Sequence, residues 1–209
     1  MYELAHTLSG HKKLVSSVAV SADGKNVVSG SSDYTLKIWN AESGTELHTL
    51  HGHTGWVRAV AVSADGKRVV YGSYDETVNI WDAESEVKLH TLSGHSNWAT
   101  SVAISADGKK VMSGDDNGTV NIWDAESGVK LQTLYGHTDR VRAVAVSADG
   151  KKVVSGSEDG TVKIWNMVLF VPTKRVYNLL LNALNGDVVD LVMKYAVATR
   201  EELETKQKI

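Results

Sequence analysis

Histidine, serine and aspartate recur together along the sequence, and these three residue types can form a hydrolytic triad in which histidine activates a serine nucleophile. The first set is His11, Ser29 and Asp33, and equivalent positions follow at intervals of 42 residues. A hydrolase needs one exposed nucleophile beside an oxyanion hole, whereas this set is repeated four times and is altered in two copies. The recurrence therefore favours a structural hydrogen-bonding role, and we expect no catalytic residues and no enzymatic activity.

Metal and cofactor chemistry is not indicated by the sequence. The absence of cysteine excludes disulfides, thiol catalysis and cysteine-ligated zinc. His51 and His53 are two residues apart, but a zinc site needs further ligands at suitable geometry, and a structural role for His53 is the favoured interpretation. Residues 113–124 partly resemble a calcium-binding loop, but the equivalent residues 155–166 have the pattern of a strand, a turn and a strand. We therefore expect neither a metal nor a cofactor.

A repeat of 42 residues organises residues 1–166, and its most regular marks are a Gly-His pair, a Ser-Ala-Asp-Gly turn and a tryptophan. In the first repeat, residues 15–21 alternate apolar and small polar side chains with the period of two that is typical of a half-buried strand. Residues 26–31, 35–39 and 45–50 are predicted as three further strands, separated by turn residues. Four strands per repeat of this length indicate an all-β fold built of β-propeller blades.

These marks resemble the WD-repeat β-propeller family, and the resemblance covers residues 1–166 four times over. It implies four four-stranded blades, each stabilised by a hydrogen-bonded tetrad of His, Ser or Thr, Asp and Trp. The matching positions are His11, Ser29, Asp33 and Trp39, then His53, Asp75 and Trp81, then His95, Ser113 and Trp123, and finally His137, Ser155, Asp159 and Trp165.

The two middle repeats depart from this tetrad. Tyr71 occupies the serine position of the second repeat, and Asn117 occupies the aspartate position of the third. A buried polar group that loses its partner costs roughly 1–3 kcal/mol. We therefore expect the middle blades to be the less stable ones, and we expect Tyr71→Ser and Asn117→Asp to raise stability.

The number of strands predicts how the propeller closes. Outer-strand sequences occur at residues 3–8, 45–50, 87–92 and 129–134, but none follows the fourth repeat. Residues 3–8 are therefore predicted to complete the last blade and to remove its exposed edge, either within one chain or in a second copy. The second arrangement is an eight-bladed homodimer. A strained four-bladed monomer and a fragment of a longer protein are the competing outcomes.

The family resemblance also implies where a partner binds. In WD-repeat proteins the third and fifth residues after the histidine, and the residue before the turn aspartate, tend to line the narrow top face. In the four repeats these positions hold Leu14, Ser16 and Ser32, then Trp56, Arg58 and Tyr74, then Trp98, Thr100 and Asp116, and finally Arg140, Arg142 and Glu158. Trp, Tyr and Arg dominate interface hot spots, which favours a binding surface. The alternative is that Trp56 and Trp98 fill gaps between adjacent blades.

From residue 167 onward the repeat is lost, and residues 167–209 are predicted to be a helical tail. Helix-capping residues and apolar side chains at helical spacing support that prediction, and its role stays open between a linker, a dimerisation element and a domain remnant. The formal net charge of −3 gives no basic excess for nucleic-acid binding. We find neither a secretory signal nor a membrane-spanning segment, so we expect a cytoplasmic protein without membrane or nucleic-acid partners.

Two functions remain open at this stage. The first is a non-catalytic interaction scaffold that binds a protein or peptide on the top face of the propeller. The second is a structural module whose blades serve self-assembly, without a dedicated external ligand.

Overall fold

The computed structural model describes residues 1–167, and this part of the chain contains fifteen strands and no helix. The first two blades contain β1 (Val15–Val20), β2 (Asn26–Ser31), β3 (Thr35–Asn40), β4 (Glu46–His51), β5 (Val57–Val62), β6 (Arg68–Ser73), β7 (Thr77–Asp82) and β8 (Lys88–Ser93). The last two contain β9 (Ala99–Ile104), β10 (Lys110–Asp115), β11 (Val120–Asp124), β12 (Lys130–Leu134), β13 (Val141–Val146), β14 (Lys152–Ser157) and β15 (Val162–Asn166). The predicted all-β fold with one blade per repeat is confirmed.

Each blade is an antiparallel meander whose strands pair in the order of the chain. The turn between its first two strands shows why the sequence folds in this way. In the first blade Ser21 Oγ donates a hydrogen bond to Asp23 Oδ1 over 2.6 Å, and the backbone N–H of Lys25 donates to the same oxygen. Gly24 has a φ of 73°, a conformation that glycine adopts without strain. The repeated Ser-Ala-Asp-Gly sequence therefore forms the same tight turn in every blade.

The hydrophobic core lies between successive blades. One face of the first blade, including Val28, Leu36 and Leu50, packs on Val57 and Val69 of the second blade. The same arrangement recurs between the second and third blades and between the third and fourth. Each blade thus buries its apolar face only against its neighbour, as expected for a repeat array.

Among the described residues, the two ends of this array lack such a neighbour. The fourth sheet has three strands in the order β13-β14-β15, one fewer than the four expected, and residues 3–8 form no strand with β15. Val162 and Ile164 of β15 are 71% and 64% exposed, although the equivalent Leu36 and Ile38 of the first blade are buried. Within residues 1–167 the last blade therefore stays open, because β15 lies at the opposite end of the array from residues 3–8.

Residues Met1–Asn166 form one compact unit. The predicted helical tail, residues 167–209, lies outside the described residues apart from Met167.

Candidate functional site

The tetrad of the first blade is a continuous chain of hydrogen bonds. Trp39 Nε1 donates to Ser29 Oγ over 2.8 Å, and this hydroxyl is 2.8 Å from His11 Nε2. His11 Nδ1 is 3.1 Å from Asp33 Oδ2. Because the indole can only donate and the carboxylate can only accept, the serine donates to Nε2 and the Nδ1–H donates to the aspartate. The fourth blade repeats this chain with His137, Ser155, Asp159 and Trp165.

These serines are not exposed nucleophiles. Ser29 is 6% exposed, and Ser155 and the equivalent Ser113 are completely buried. Each hydroxyl already accepts from a tryptophan and donates to a histidine. The hydrogen bonds connect the loop before the first strand of a blade with its second and third strands. They leave no approach for a substrate.

The third blade differs from its sequence prediction. His95 Nε2 and Trp123 Nε1 contact Ser113 Oγ as in the other blades, but the carboxylate comes from Asp115 rather than from position 117. Asp115 Oδ2 lies 2.9 Å from His95 Nδ1, and Asp115 is completely buried. The expectation that Asn117 interrupts this tetrad is therefore wrong, because an aspartate two residues earlier in the same turn reaches the same histidine.

The second blade has a different arrangement. His53 Nδ1 is 2.8 Å from Asp75 Oδ2, but His53 Nε2 contacts the backbone oxygen of Tyr71 at 3.2 Å. Tyr71 is completely buried, and its ring lies edge-on to His53 at a centroid distance of 4.7 Å. Within residues 1–167, the Tyr71 hydroxyl and Trp81 Nε1 have no hydrogen-bond partner. A buried aromatic ring thus occupies the place of the small hydroxyl.

The tetrad carboxylates are stabilised in their ionised form. Burial alone would raise the pKa of Asp75, but hydrogen bonds from His53 and Thr77 outweigh burial and hold the pKa well below its ordinary value. Burial opposes ionisation of Asp115 in the same way, and hydrogen bonds from His95 and Thr119 lower its pKa. The stability of these two blades therefore depends on the ionised form of Asp75 and Asp115.

The first strand of each blade, called the inner strand below, is preceded by a loop. This loop lies beside the turn between the second and third strands of the same blade. Backbone hydrogen bonds connect the two, for example from the Tyr74 N–H to the Trp56 oxygen over 3.0 Å and from the Asp116 N–H to the Trp98 oxygen over 3.1 Å. The same bond joins Glu158 to Arg140. These loops and turns form one surface, called the top face below.

Three aromatic rings form a stack across the second and third blades on the top face. Trp56 and Tyr74 are stacked with their centroids 5.6 Å apart, and Tyr74 and Trp98 are stacked at 4.2 Å. Trp56 is 46% exposed and Trp98 is 37% exposed. The guanidinium of Arg58 lies over the Tyr74 ring at 5.9 Å. Trp98 therefore does contact the neighbouring blade through Tyr74, but both indoles also present apolar area to solvent. We call Trp56, Tyr74 and Trp98 the aromatic stack.

Charged side chains continue this surface across the third and fourth blades. Arg140 Nε lies 2.9 Å from Asp116 Oδ2 and 3.9 Å from Glu158 Oε2. Arg142 also pairs with Glu158, and its Nε donates to Oε1 over 2.8 Å. These four residues are called the charged cluster. Asp116 Oδ1 is buried and has no hydrogen-bond donor among residues 1–167.

Four of the twelve predicted top-face residues lie apart from these groups, namely Leu14, Ser16, Ser32 and Thr100. Leu14 is 65% exposed on the first blade. Thr100 is buried, and its hydroxyl donates to the Val141 oxygen over 2.5 Å and lies 3.1 Å from the Gly114 oxygen. Thr100 therefore connects adjacent blades instead of contributing to the accessible surface.

The inner strands line an open cavity of about 350 Å³. Residues from all four blades contribute to it, among them Ser16, Arg58, Thr100 and Arg142. Within residues 1–167, no group of three or more His, Asp or Glu side chains is arranged to hold a metal ion. A helix long and apolar enough to cross a membrane is likewise absent from this part of the chain.

A family model described as "WD domain, G-beta repeat" matches residues 2–40, 44–82, 86–124 and 128–166. The chain belongs to the WD40 repeat family. WD40 domains generally act as non-catalytic scaffolds for protein interactions. One curated relative, the vegetative incompatibility protein HET-E-1 of Podospora anserina, is 62% identical over 39 residues, which are 19% of this chain and 3% of that protein.

Solved WD40 structures share the fold of the four blades. The structure of U3-55K superposes with a TM-score of 0.72 and 28% identity, and the RRP9 WD40 repeats superpose with a TM-score of 0.71 and 28% identity. Both matches cover 77% of this chain, and this chain spans about half of each of those chains, 51% and 50%. The computationally designed Ika4 protein is 34% identical with a TM-score of 0.71, and the match covers 80% of this chain and 100% of Ika4.

Proposed function

We propose that this WD40 chain is a non-catalytic scaffold that binds a protein segment or peptide on its top face. The observation that carries the proposal is the aromatic stack, because stacked and partly exposed Trp and Tyr rings offer a large apolar contact area at a low entropic cost. The rings support one another before a partner arrives, so little side-chain freedom is lost on binding.

The chemistry of the surface indicates the kind of segment that fits. Arg58 lies over Tyr74 at the centre of the aromatic stack, and within residues 1–167 no carboxylate is paired with it. An apolar or aromatic side chain placed against Trp56 or Trp98, next to an Asp or Glu directed at Arg58, would use both features. The charged cluster on the neighbouring blades then contributes to orientation more than to affinity, because its charges are already paired.

The experiment begins with peptides selected on the wild-type chain from a displayed random library. Their affinity is measured by calorimetry for the wild type, for Trp56→Ala/Trp98→Ala and for Leu14→Ala. Leu14 occupies the equivalent repeat position on the first blade and is also exposed, so it serves as the matched control. We expect the double variant to bind at least about 30-fold more weakly, since hot-spot residues contribute about 2 kcal/mol each or more. Equal affinity for wild type and double variant would refute the proposal.

A second function, self-assembly, is favoured by a separate observation. Val18 and Val20 are 66% and 59% exposed at one end of the blade array, and Val162 and Ile164 are 71% and 64% exposed at the other. Apolar sheet faces of this kind are typical of interaction surfaces. The cytoplasmic location and the lack of nucleic-acid partners stay predictions from the sequence.

A further inference from the structure

The interfaces between successive blades follow one steric rule. A glycine in the second strand of each of the first three blades faces the first strand of the next blade, where it meets valines at Gly30 and Gly114 and Ala99 with Val102 at Gly72. A Cβ on Gly30 would lie 2.5 Å from Val57 Cγ1 and 2.8 Å from Val60 Cγ1. Gly114 is equally close to Val141 of the fourth blade. Because a real Cβ never approaches so closely, the glycine forms a slot that the valines of the next blade fill.

Among residues 1–167, the slot of the last blade is not filled by valines, and the corresponding valines of the first blade fill no slot. A Cβ on Gly156 of β14 would meet no heavy atom within 4 Å. Val15 and Val18 of β1, which are equivalent to Val57 and Val60, are 47% and 66% exposed. The two ends of the array are therefore complementary in shape, just as the two sides of every internal interface are.

Residues 3–8, called the N-terminal arm, are already placed for this contact. His6 Nε2 donates to the Glu42 backbone oxygen over 2.7 Å. His90, an outer-strand residue of the second blade, makes the same bond to Glu126 of the third blade over 2.8 Å. The arm thus lies against the first blade in the position that the outer strand of a preceding blade would take, although it has no sheet to pair with.

From these features we infer that two copies of this chain close into one eight-bladed ring. The last blade of each copy packs on the first blade of the other, and the N-terminal arm of one copy pairs with the free edge of β15 in the other. The inference rests on the proposed self-assembly and deepens it, because it names the partner as a second copy and specifies the contacts. Both new interfaces are identical by two-fold symmetry, and no sheet edge remains unpaired at either junction.

The pairing register follows from the internal blades. Lys37 of β3 lies opposite Thr49 of β4, and Asn79 lies opposite Thr91 in the same way. By the repeat of 42 residues, Lys163 of one copy lies opposite Thr7 in the arm of the other. Val162 and Ile164 are then covered by the first blade of the second copy, as Leu36 and Ile38 are covered within the chain.

The mass of the full chain in solution is the first test. Light scattering is expected to give twice the chain mass for the wild type. Val18→Asp is expected to give single chains, whereas Leu131→Asp is expected to stay paired. Leu131 is the matched control because it is an exposed apolar strand residue, 53% exposed, that lies away from both ends of the array.

Gly156→Val tests the slot itself. The added side chain has open space in the single chain, so the fold is retained, which circular dichroism and thermal unfolding will show. In the ring it would meet the partner's valines at both interfaces, so the dissociation constant is expected to rise about 100-fold. Gly30→Val provides the contrast, because it should instead destabilise the single chain.

Disulfide trapping tests the register. The chain has no cysteine, so Thr7→Cys and Lys163→Cys chains can be mixed and oxidised without background. The inference requires a covalent dimer that dithiothreitol reverses. A wild type with the mass of one chain would overturn both self-assembly and the ring. A double-mass particle that tolerates Val18→Asp and Gly156→Val and forms no such disulfide would overturn the ring and leave self-assembly standing.

Discussion

Replacing Asp115 by alanine should destabilise the chain far more than any change at position 117. The Asp115 carboxylate is completely buried and accepts four hydrogen bonds, from His95 Nδ1 at 2.9 Å, Thr119 Oγ1 at 2.6 Å and the N–H groups of Asn117 and Thr119 at 3.1 and 2.8 Å. Removing one partner of a buried pair costs about 3–5 kcal/mol, because the remaining donors stay desolvated. Asn117 is exposed, so Asn117→Asp should change stability by less than about 0.5 kcal/mol.

Guanidinium unfolding followed by tryptophan fluorescence measures both variants against the wild type, since Trp123 lies in the affected blade. We expect a large shift of the unfolding midpoint for Asp115→Ala and almost none for Asn117→Asp. The opposite result, a clear stabilisation by Asn117→Asp with a mild effect of Asp115→Ala, would show that position 117 is the true tetrad position and would refute the assignment of Asp115.

Three further outcomes are expected. Contrary to the expectation from the sequence, Tyr71→Ser should lower stability by about 1–3 kcal/mol in a denaturation experiment, because the cavity left by a buried ring outweighs the hydrogen bond restored to Trp81. A raised midpoint would contradict this. Stability should be constant from neutral pH to about pH 5 and should be lost as the pH falls below about 4, because a lowered carboxylate pKa stabilises the fold only while the group is ionised. Asp115→Asn should reduce this loss, and an unchanged pH profile would contradict the role of the carboxylate. Gly30→Val should lower the melting temperature, because its side chain would meet Val57, and a wild-type melting temperature would disprove the slot.

The fold was predictable because each repeat carries local signals that agree with one another. Ser21, Asp23 and Gly24 specify a tight turn by their own hydrogen bonds and φ, and the period-two patterns place the strands on either side. Four copies of the same pattern made the blades and their order unambiguous.

The site was less predictable, because a side chain at one repeat position can make the contact that other repeats make from a different position. Asp115 occupies the position that Ser31 has in the first blade, yet its carboxylate reaches His95. The one available signal was the additional aspartate itself. Thr100 was placed on the top face by its repeat position, but its hydroxyl is used between blades, and only packing reveals that.

The stacking of Trp56, Tyr74 and Trp98 depends on the spacing of two adjacent blades. The residue types Trp, Tyr and Arg indicated a binding surface, but the centroid distances of 5.6 and 4.2 Å follow from how the blades pack. The same dependence explains why the openness of Gly156 could not be read from its sequence context, which matches that of Gly30.

The most direct test of the account measures peptide affinity and unfolding free energy on the same two variants, Trp56→Ala/Trp98→Ala and Asp115→Ala. Binding is assigned to the aromatic stack and stability to the tetrads. The first variant should therefore lose affinity at least about 30-fold while it stays more stable than the second. Asp115→Ala should lose stability and, below its melting temperature, keep the affinity of the wild type. Full affinity in the first variant, or lost affinity in a folded Asp115→Ala chain, would contradict the account.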